Sequence, residues 1–333
     1  MPSSPRNATR LHYFQTESAI LPGMPGKRPT KLRIALVGAG NLATALAPSL
    51  RNAGYGIDQI VSRDRSGSWR RARSLASKSD AVAVVASRAH IQADVVWFCV
   101  PDAEISGAAA SLRDAADWKG KVAFHSSGAL TSDELAELRR RGAAVASVHP
   151  LMTFVKRSSL RGMPSLAGVP FAIEGDRAAT RAALQIVAHL RGNPFLIQKK
   201  DKPLYHAWGM FLSPLLTALL AASERVAAAA KVARSVARKR MLPIVQQTIA
   251  NYAAAGASKA FSGPIARGDA ETVGKHLQVL KGVAEASEIY IALAKAALLY
   301  LPAKNRRELE RILKADAARR LNTNAKHYRE EKI

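Results

Sequence analysis

The run Gly38-Ala39-Gly40-Asn41-Leu42-Ala43 follows four aliphatic residues and opens a helical pattern. In that setting its small residues have separate uses. Gly38 can take a tight turn, Gly40 lets the backbone approach a pyrophosphate, and Ala43 allows a helix to pack close to a sheet. Asn41 and Leu42 complete the loop, whose free N–H groups and helix-dipole end favour phosphate. The pattern therefore points to a bound dinucleotide, the alternative being a glycine-rich turn without ligand.

The end of the second strand tells the two nicotinamide cofactors apart. An acid there bonds the ribose hydroxyls of NAD, but this chain has Ser62-Arg63, with Arg65 beyond. A hydroxyl and a guanidinium suit a 2′-phosphate, so NADP(H) is the expected cofactor. The alternative is that Arg63 and Arg65 are solvated surface charges.

Ligands of an open parallel sheet bind beyond the carboxyl ends of its strands. Val100 and Pro101 end the fourth strand and are expected against the cofactor. His125-Ser126-Ser127-Gly128 follows the fifth strand and His149-Pro150 the next. Reduction of C=O or C=N needs a proton donor, and histidine titrates near working pH. His149 is the first choice, against a histidine that merely orients a loop. Ser126 and Ser127 either bond substrate or nicotinamide amide, or satisfy turn backbone. Further along, Tyr205-His206 opens a long helical stretch, and Arg267 lies in Gly263-Pro264-Ile265-Ala266-Arg267-Gly268-Asp269. Arg267 could clamp a carboxylate or phosphate, while Asp269 reads first as a helix N-cap.

The elements that must position these groups alternate. Strands are expected over 31–38, 59–62, 81–86, 95–100, 121–124, 143–148, 171–173 and 195–197. Helices are expected over 41–53, 68–77, 105–115, 132–141 and 177–190. That alternation indicates an α/β fold with a doubly wound parallel sheet. From 202 alanine, leucine and valine dominate at helical spacing, marking an all-helical second domain. The expected divisions are a disordered basic tail over 1–30, a dinucleotide domain over 31–200, a helical domain over 201–301 and a charged tail over 302–333. That last tail includes a helix over 306–321. The apolar stretch 207–222 contains Pro214 and reads as a buried helix, because no stretch offers the roughly 18 apolar residues of a spanning one.

Composition narrows the classes. Of 333 residues 48% are hydrophobic and 23% charged, as in a globular protein with two cores. The first thirty residues lack the apolar segment of a secretory signal. Cys99, the single cysteine, can form neither an internal disulfide nor a zinc site, so a reducing cytoplasm is expected. The formal charge of +25 favours anionic ligands but carries no nucleic-acid motif, so specific nucleic-acid binding is not expected.

Taken with His125-Ser126-Ser127-Gly128-Ala129-Leu130, His149-Pro150-Leu151-Met152-Thr153-Phe154, Tyr205-His206, Ser262 to Asp269 and His276-Leu277, the glycine fingerprint resembles a bacterial family. Its members join a Rossmann-like domain to a domain of unknown function and are grouped with NADP-dependent oxidoreductases. The plan is more distantly similar to pyrroline-5-carboxylate reductase, 6-phosphogluconate dehydrogenase and prephenate dehydrogenase. The resemblance implies a helical domain that dimerises and helps close the active site, and a catalytic role for a His-Pro such as His149-Pro150. Family members usually have Ser-Asn where this chain has Ser213-Pro214, which removes a side-chain amide. The expected activity is NADPH-dependent reduction, or the reverse, of a small anionic carbonyl or imine compound, with Ser126, His149, His206 and Arg267 at the substrate. The alternatives are a non-catalytic NADP(H)-binding sensor and, more weakly, salt-sensitive association with nucleic acid.

Overall fold

Short uninterrupted aliphatic runs suit strands covered on both faces, because neither side needs polar residues. The computed structural model, which describes residues 31–155, 165–283 and 285–315, bears this out. Its chain divides into two units, one ending at Lys199 and the other beginning at Lys200.

In the first unit β1 (Ile34–Val37), β2 (Ile57–Ser62), β3 (Val82–Val85), β4 (Val95–Phe98), β5 (Val122–His125), β6 (Ala144–Pro150), β7 (Pro170–Gly175) and β8 (Asn193–Leu196) form one sheet. Their spatial order is β3-β2-β1-β4-β5-β6-β7-β8. β1 lies between β2 and β4, with Val37 beside Val61 on one side and Phe98 on the other. The chain thus leaves β1 in opposite directions toward β2 and β4, which opens a crevice at the carboxyl end of β1.

Helices α1 (Asn41–Asn52), α2 (Ser66–Ser79), α3 (Ile105–Ser111), α4 (Ala136–Arg140) and α5 (Arg177–His189) accompany these strands. α1 buries Ala43, Ala45, Leu46, Ala47 and Leu50, a spacing that seats one face on the sheet. Two cores result. One joins Ile34, Leu36, Trp97 and Phe171 with α1, α2 and α5, and the other joins Ala35, Val96, Phe98 and Trp118 with α3 and α4. The sheet departs from a wholly parallel one at a single place: β6 and β7 are antiparallel, Val148 facing Ile173. The chain therefore re-enters the sheet at β7 in the reverse direction.

The second unit is helical, with α6 (Lys202–Leu212), α7 (Pro214–Ala229), α8 (Arg234–Ala260), α9 (Pro264–Arg267), α10 (Ala270–Leu280) and α11 (Ala286–Tyr300). Its core joins Val273 and Leu277 of α10, Ile291, Ala294 and Leu298 of α11, and Leu309 and Leu313 beyond them. The helix expected over 306–321 is present from 306 to 315; its remainder and the expected N-terminal tail lie outside the described residues.

One expectation fails here. The apolar stretch 207–222 is neither buried nor one helix. Ser213 has φ −130° and ψ −73°, so α6 ends before it and Pro214 starts α7. Proline cannot donate to the preceding turn but suits the first helical position. No residue of α7 is buried, and of α8 only Ala237 is. By length and composition Lys199–Ala229 is also apolar enough to cross a membrane, contrary to the count from sequence; the break at Ser213 divides it.

Candidate functional site

The loop between β1 and α1 has the geometry its residue types predict. Gly38 sits at φ +98°, and a Cβ there would lie 2.7 Å from the carbonyl oxygen of Cys99. A side chain is excluded by conformation and by space together. Gly40 is the N-cap of α1 at φ −81°, an ordinary value, and a Cβ on it would meet only the Cys99 carbonyl at 3.7 Å. Among the described residues no side chain caps α1 and no acid stands in its first turn. The first amides of a helix have no partner within it. Here they are left to an anion, as a pyrophosphate would require. Ala43 is fully buried and Leu42 packs against the same core, so these two support the loop rather than line the space above it.

That space is a cleft of about 1040 Å³. Gly38, Gly40, Asn41, Ser62, Arg63, Val100 and Pro101 all line it, so seven of the nine sequence candidates for cofactor contact converge on one surface. The side-chain amide of Asn41 donates to the carbonyl oxygen of Phe154 at 2.8 Å. This ties the glycine loop to the chain following β6, where Phe154 and Val155 also border the cleft.

Three features were missed from sequence. Arg63 is committed: its Nη1 lies 2.6 Å from Oε1 of Glu104, another lining residue. Ser68, Arg71, Ser74 and Lys78 of α2 line the cleft as well. Their spacing of three, three and four residues places them along one helix face, a signal legible once α2 is known to border the site. Ser62 is buried and its hydroxyl donates to the Arg63 carbonyl at 3.2 Å. Arg65 is exposed and is not among the lining residues.

Beyond β5, polar groups fix one another. Ser127 Oγ donates to Asp102 Oδ2 at 2.7 Å and accepts from the amides of Ala129 and Leu130. His125 is fully buried; its Nδ1 accepts from the Ser127 amide at 3.1 Å, which leaves Nε2 to donate to the Thr131 carbonyl at 2.9 Å. Both ring nitrogens are thus occupied, and the histidine acts as a scaffold. Ser126 Oγ accepts from Trp97 Nε1 at 2.8 Å, leaving its own hydroxyl hydrogen available for donation. His149 stands on β6 opposite Ala172, half-buried. Neither Ser126 nor His149 lines the cleft described above.

In the second unit His206 lies half-buried on α6 and Arg267 is the exposed last residue of α9. Arg267 makes no ion pair within 4 Å among the described residues. Asp269 is the N-cap of α10, accepting from the Thr272 amide at 3.0 Å, and that bond holds its carboxyl below the ordinary carboxylate range. Gly268 sits at φ +73° with the Lys304 carbonyl oxygen 2.6 Å from where a Cβ would be, so this glycine serves packing. His276 Nδ1 and Tyr290 Oη are 3.1 Å apart, and burial pushes the Tyr290 phenol up.

An open sheet with its glycine loop at the switch point beside β1 defines the Rossmann class of nucleotide-binding folds. Comparison with known proteins agrees: residues 18–150 match the Rossmann-like domain, and residues 169–297 match a domain of unknown function, DUF2520. The chain belongs to the proteins that join these two domains. Among solved structures it is similar to a provisionally assigned NADP oxidoreductase from Bacteroides fragilis. That pair shares 21% identity over 80% of this chain and 98% of the other, with a TM-score of 0.66. An imine reductase from Pseudomonas sp. shares 22% identity over 80% of this chain and 93% of its own, with a TM-score of 0.54. A pyrroline-5-carboxylate reductase from Coxiella burnetii shares 14% over 86% and 97%, with a TM-score of 0.51. These likenesses are of fold. No curated protein matches.

Proposed function

We propose that the protein is an NADP(H)-dependent oxidoreductase that reduces the C=O or C=N group of a small anionic compound, or catalyses the reverse. The observation that carries this reading is the uncapped, acid-free start of α1 above a cleft whose β2 end presents Ser62 and Arg63 in place of an acid. The first-turn amides of α1 would hold the pyrophosphate, and the cleft beyond the acid-free end of β2 would take the phosphorylated ribose. Val100 and Pro101 line the same cleft and would hold the nicotinamide half, which when bound would supply or accept a hydride. His149 holds the proton that reaches the substrate oxygen or nitrogen, and Ser126, already bonded to Trp97, donates a hydrogen bond to the substrate. The names of two fold neighbours, an imine reductase and a pyrroline-5-carboxylate reductase, favour C=N chemistry.

The test is NADPH oxidation over a panel of small 2-oxo acids and cyclic imine carboxylates. Loss of general-acid catalysis in His149→Ala should lower kcat about 10²- to 10⁴-fold. A protein that binds NADPH but turns over no member of the panel is better described as a sensor of the cofactor.

We further propose that the partner is a second copy of this chain, held through α7 and α8. These helices carry exposed Leu215, Leu242, Ile244, Ile249 and Tyr252, and one buried residue between them. α8, whose helical run is broken at Gly256 (φ +73°), has so little buried surface that it needs a partner to hold it, and a face repeated in every copy can pair with itself. Sedimentation at micromolar concentration should give a dimer, and Ile244→Lys with Ile249→Lys a monomer. A wild-type monomer overturns this part.

A further inference from the structure

The two arginines that border the adenosine end of the cleft are not equivalent. Arg63, which follows β2, lies 2.6 Å from the Glu104 carboxylate, and both residues line the cleft. Together they contribute no net charge. Glu104 belongs to the turn after β4, so the pair joins the two sides of the crevice. A 2′-phosphate brought to Arg63 would also be brought to Glu104, and a phosphate of about two negative charges is repelled by a carboxylate.

Arg71 is differently placed. It sits one turn into α2, is exposed, and has no carboxylate partner within 4 Å among the described residues. Its Nη2 lies 3.4 Å from Ser68 Oγ, which steadies the guanidinium on the helix face that borders the cleft. Ser74 and Lys78 continue that face, and no acid interrupts the stretch from Arg65 to Ser79. The uncompensated positive charge and the hydroxyl that a phosphate requires are therefore on α2.

Building on the NADP(H) reading above, we propose that Arg71, with Ser68, is the residue that recognises the 2′-phosphate, and that Glu104 sets the strength of this preference by holding Arg63 neutralised. Arg63 then serves as a planar wall beside the adenosine, and the phosphate is turned toward α2. Ser62, whose hydroxyl already donates to the Arg63 carbonyl, fixes that backbone.

The test uses 2′,5′-ADP and 5′-AMP as probes, which differ only in the phosphate at issue, titrated calorimetrically into the full chain. Wild type should bind 2′,5′-ADP at least about tenfold tighter than 5′-AMP, one charged hydrogen-bonded contact being worth that much. Arg71→Ala should bring the two within about threefold. Arg63→Ala with Glu104→Gln removes the neutral pair as a unit and should leave the preference within about threefold of wild type. Glu104→Gln alone should increase it, because Arg63 is then free to join. Loss of the preference in the pair variant, or its retention in Arg71→Ala, overturns the assignment while the cofactor reading stands. Equal binding of both probes to wild type overturns the assignment and leaves an unphosphorylated dinucleotide. Binding of neither probe by folded protein removes the inference and the cofactor reading together.

Discussion

Replacing each glycine of the phosphate loop by alanine separates fold from ligand. At Gly38 the substitution puts a side-chain residue at φ +98° and its Cβ 2.7 Å from the Cys99 carbonyl oxygen. A left-handed conformation costs an L-residue about 1–2 kcal/mol, and moving the carbonyl adds to that, so a loss of at least about 2 kcal/mol is expected. For a unit of this size about 2 kcal/mol lowers Tm by roughly 4–8 °C. At Gly40 the backbone is ordinary and a Cβ meets its neighbour at 3.7 Å, so Gly40→Ala should cost less than about 1 kcal/mol. Its Cβ instead displaces the pyrophosphate from the α1 amides. Losing one charge-assisted hydrogen bond weakens binding about ten- to hundredfold. The assay is paired thermal melting and NADPH fluorescence titration. Gly40→Ala should melt like wild type yet bind poorly, and Gly38→Ala should melt early. A Gly40→Ala protein with unchanged NADPH affinity, or a Gly38→Ala protein with unchanged Tm, refutes the reasoning.

Other consequences can be checked separately. Asp133 is hydrogen-bonded by Arg139 and Lys199, which bring its carboxyl down to about 2 against an opposing effect of burial. Because the folded value is depressed, this stabilisation is complete above the ordinary carboxylate range and is lost as pH falls toward about 2; Asp133→Asn should flatten thermal stability across that window. The pair is half exposed, so the change should stay below about 1 kcal/mol at neutral pH, and a larger loss there would contradict a surface role. Burial pushes the Cys99 thiol up, so a disulfide reagent should label the native protein far more slowly than the unfolded one. Prompt native labelling would show that β4 opens readily. Leu309 is fully buried in the core of the second unit, and Leu309→Ala should destabilise it by about 2–5 kcal/mol in denaturant melts. A negligible effect would place 306–315 outside that core.

What could be read from the sequence was what depends on neighbours along the chain. Ile34 to Val37 is buried on both faces, and the glycines that follow are needed for backbone reasons local to them, so β1, the loop and α1 were legible together. Asp269 was likewise legible as an N-cap because the group it bonds is three residues away. Long-range facts were not. The Arg63–Glu104 pair joins residues 41 positions apart, and nothing near Arg63 announces it. The antiparallel β6–β7 pairing is set by the direction in which the chain returns to the sheet rather than by the strands, which read as strands either way. The apolar α7 could be recognised as a helix but not as an exposed one, since apolar composition describes a surface awaiting a partner as well as a core. His125 stood in the polar cluster after the fifth strand with no role assigned to it from sequence; the fold shows both its nitrogens occupied.

The central claim is that the crevice beside β1 binds NADP(H), and calorimetric titration of the wild-type chain with NADPH and NADH tests it most directly. The account predicts one site per chain and NADPH bound at least about tenfold tighter than NADH. Folded protein that takes up neither nucleotide would contradict it.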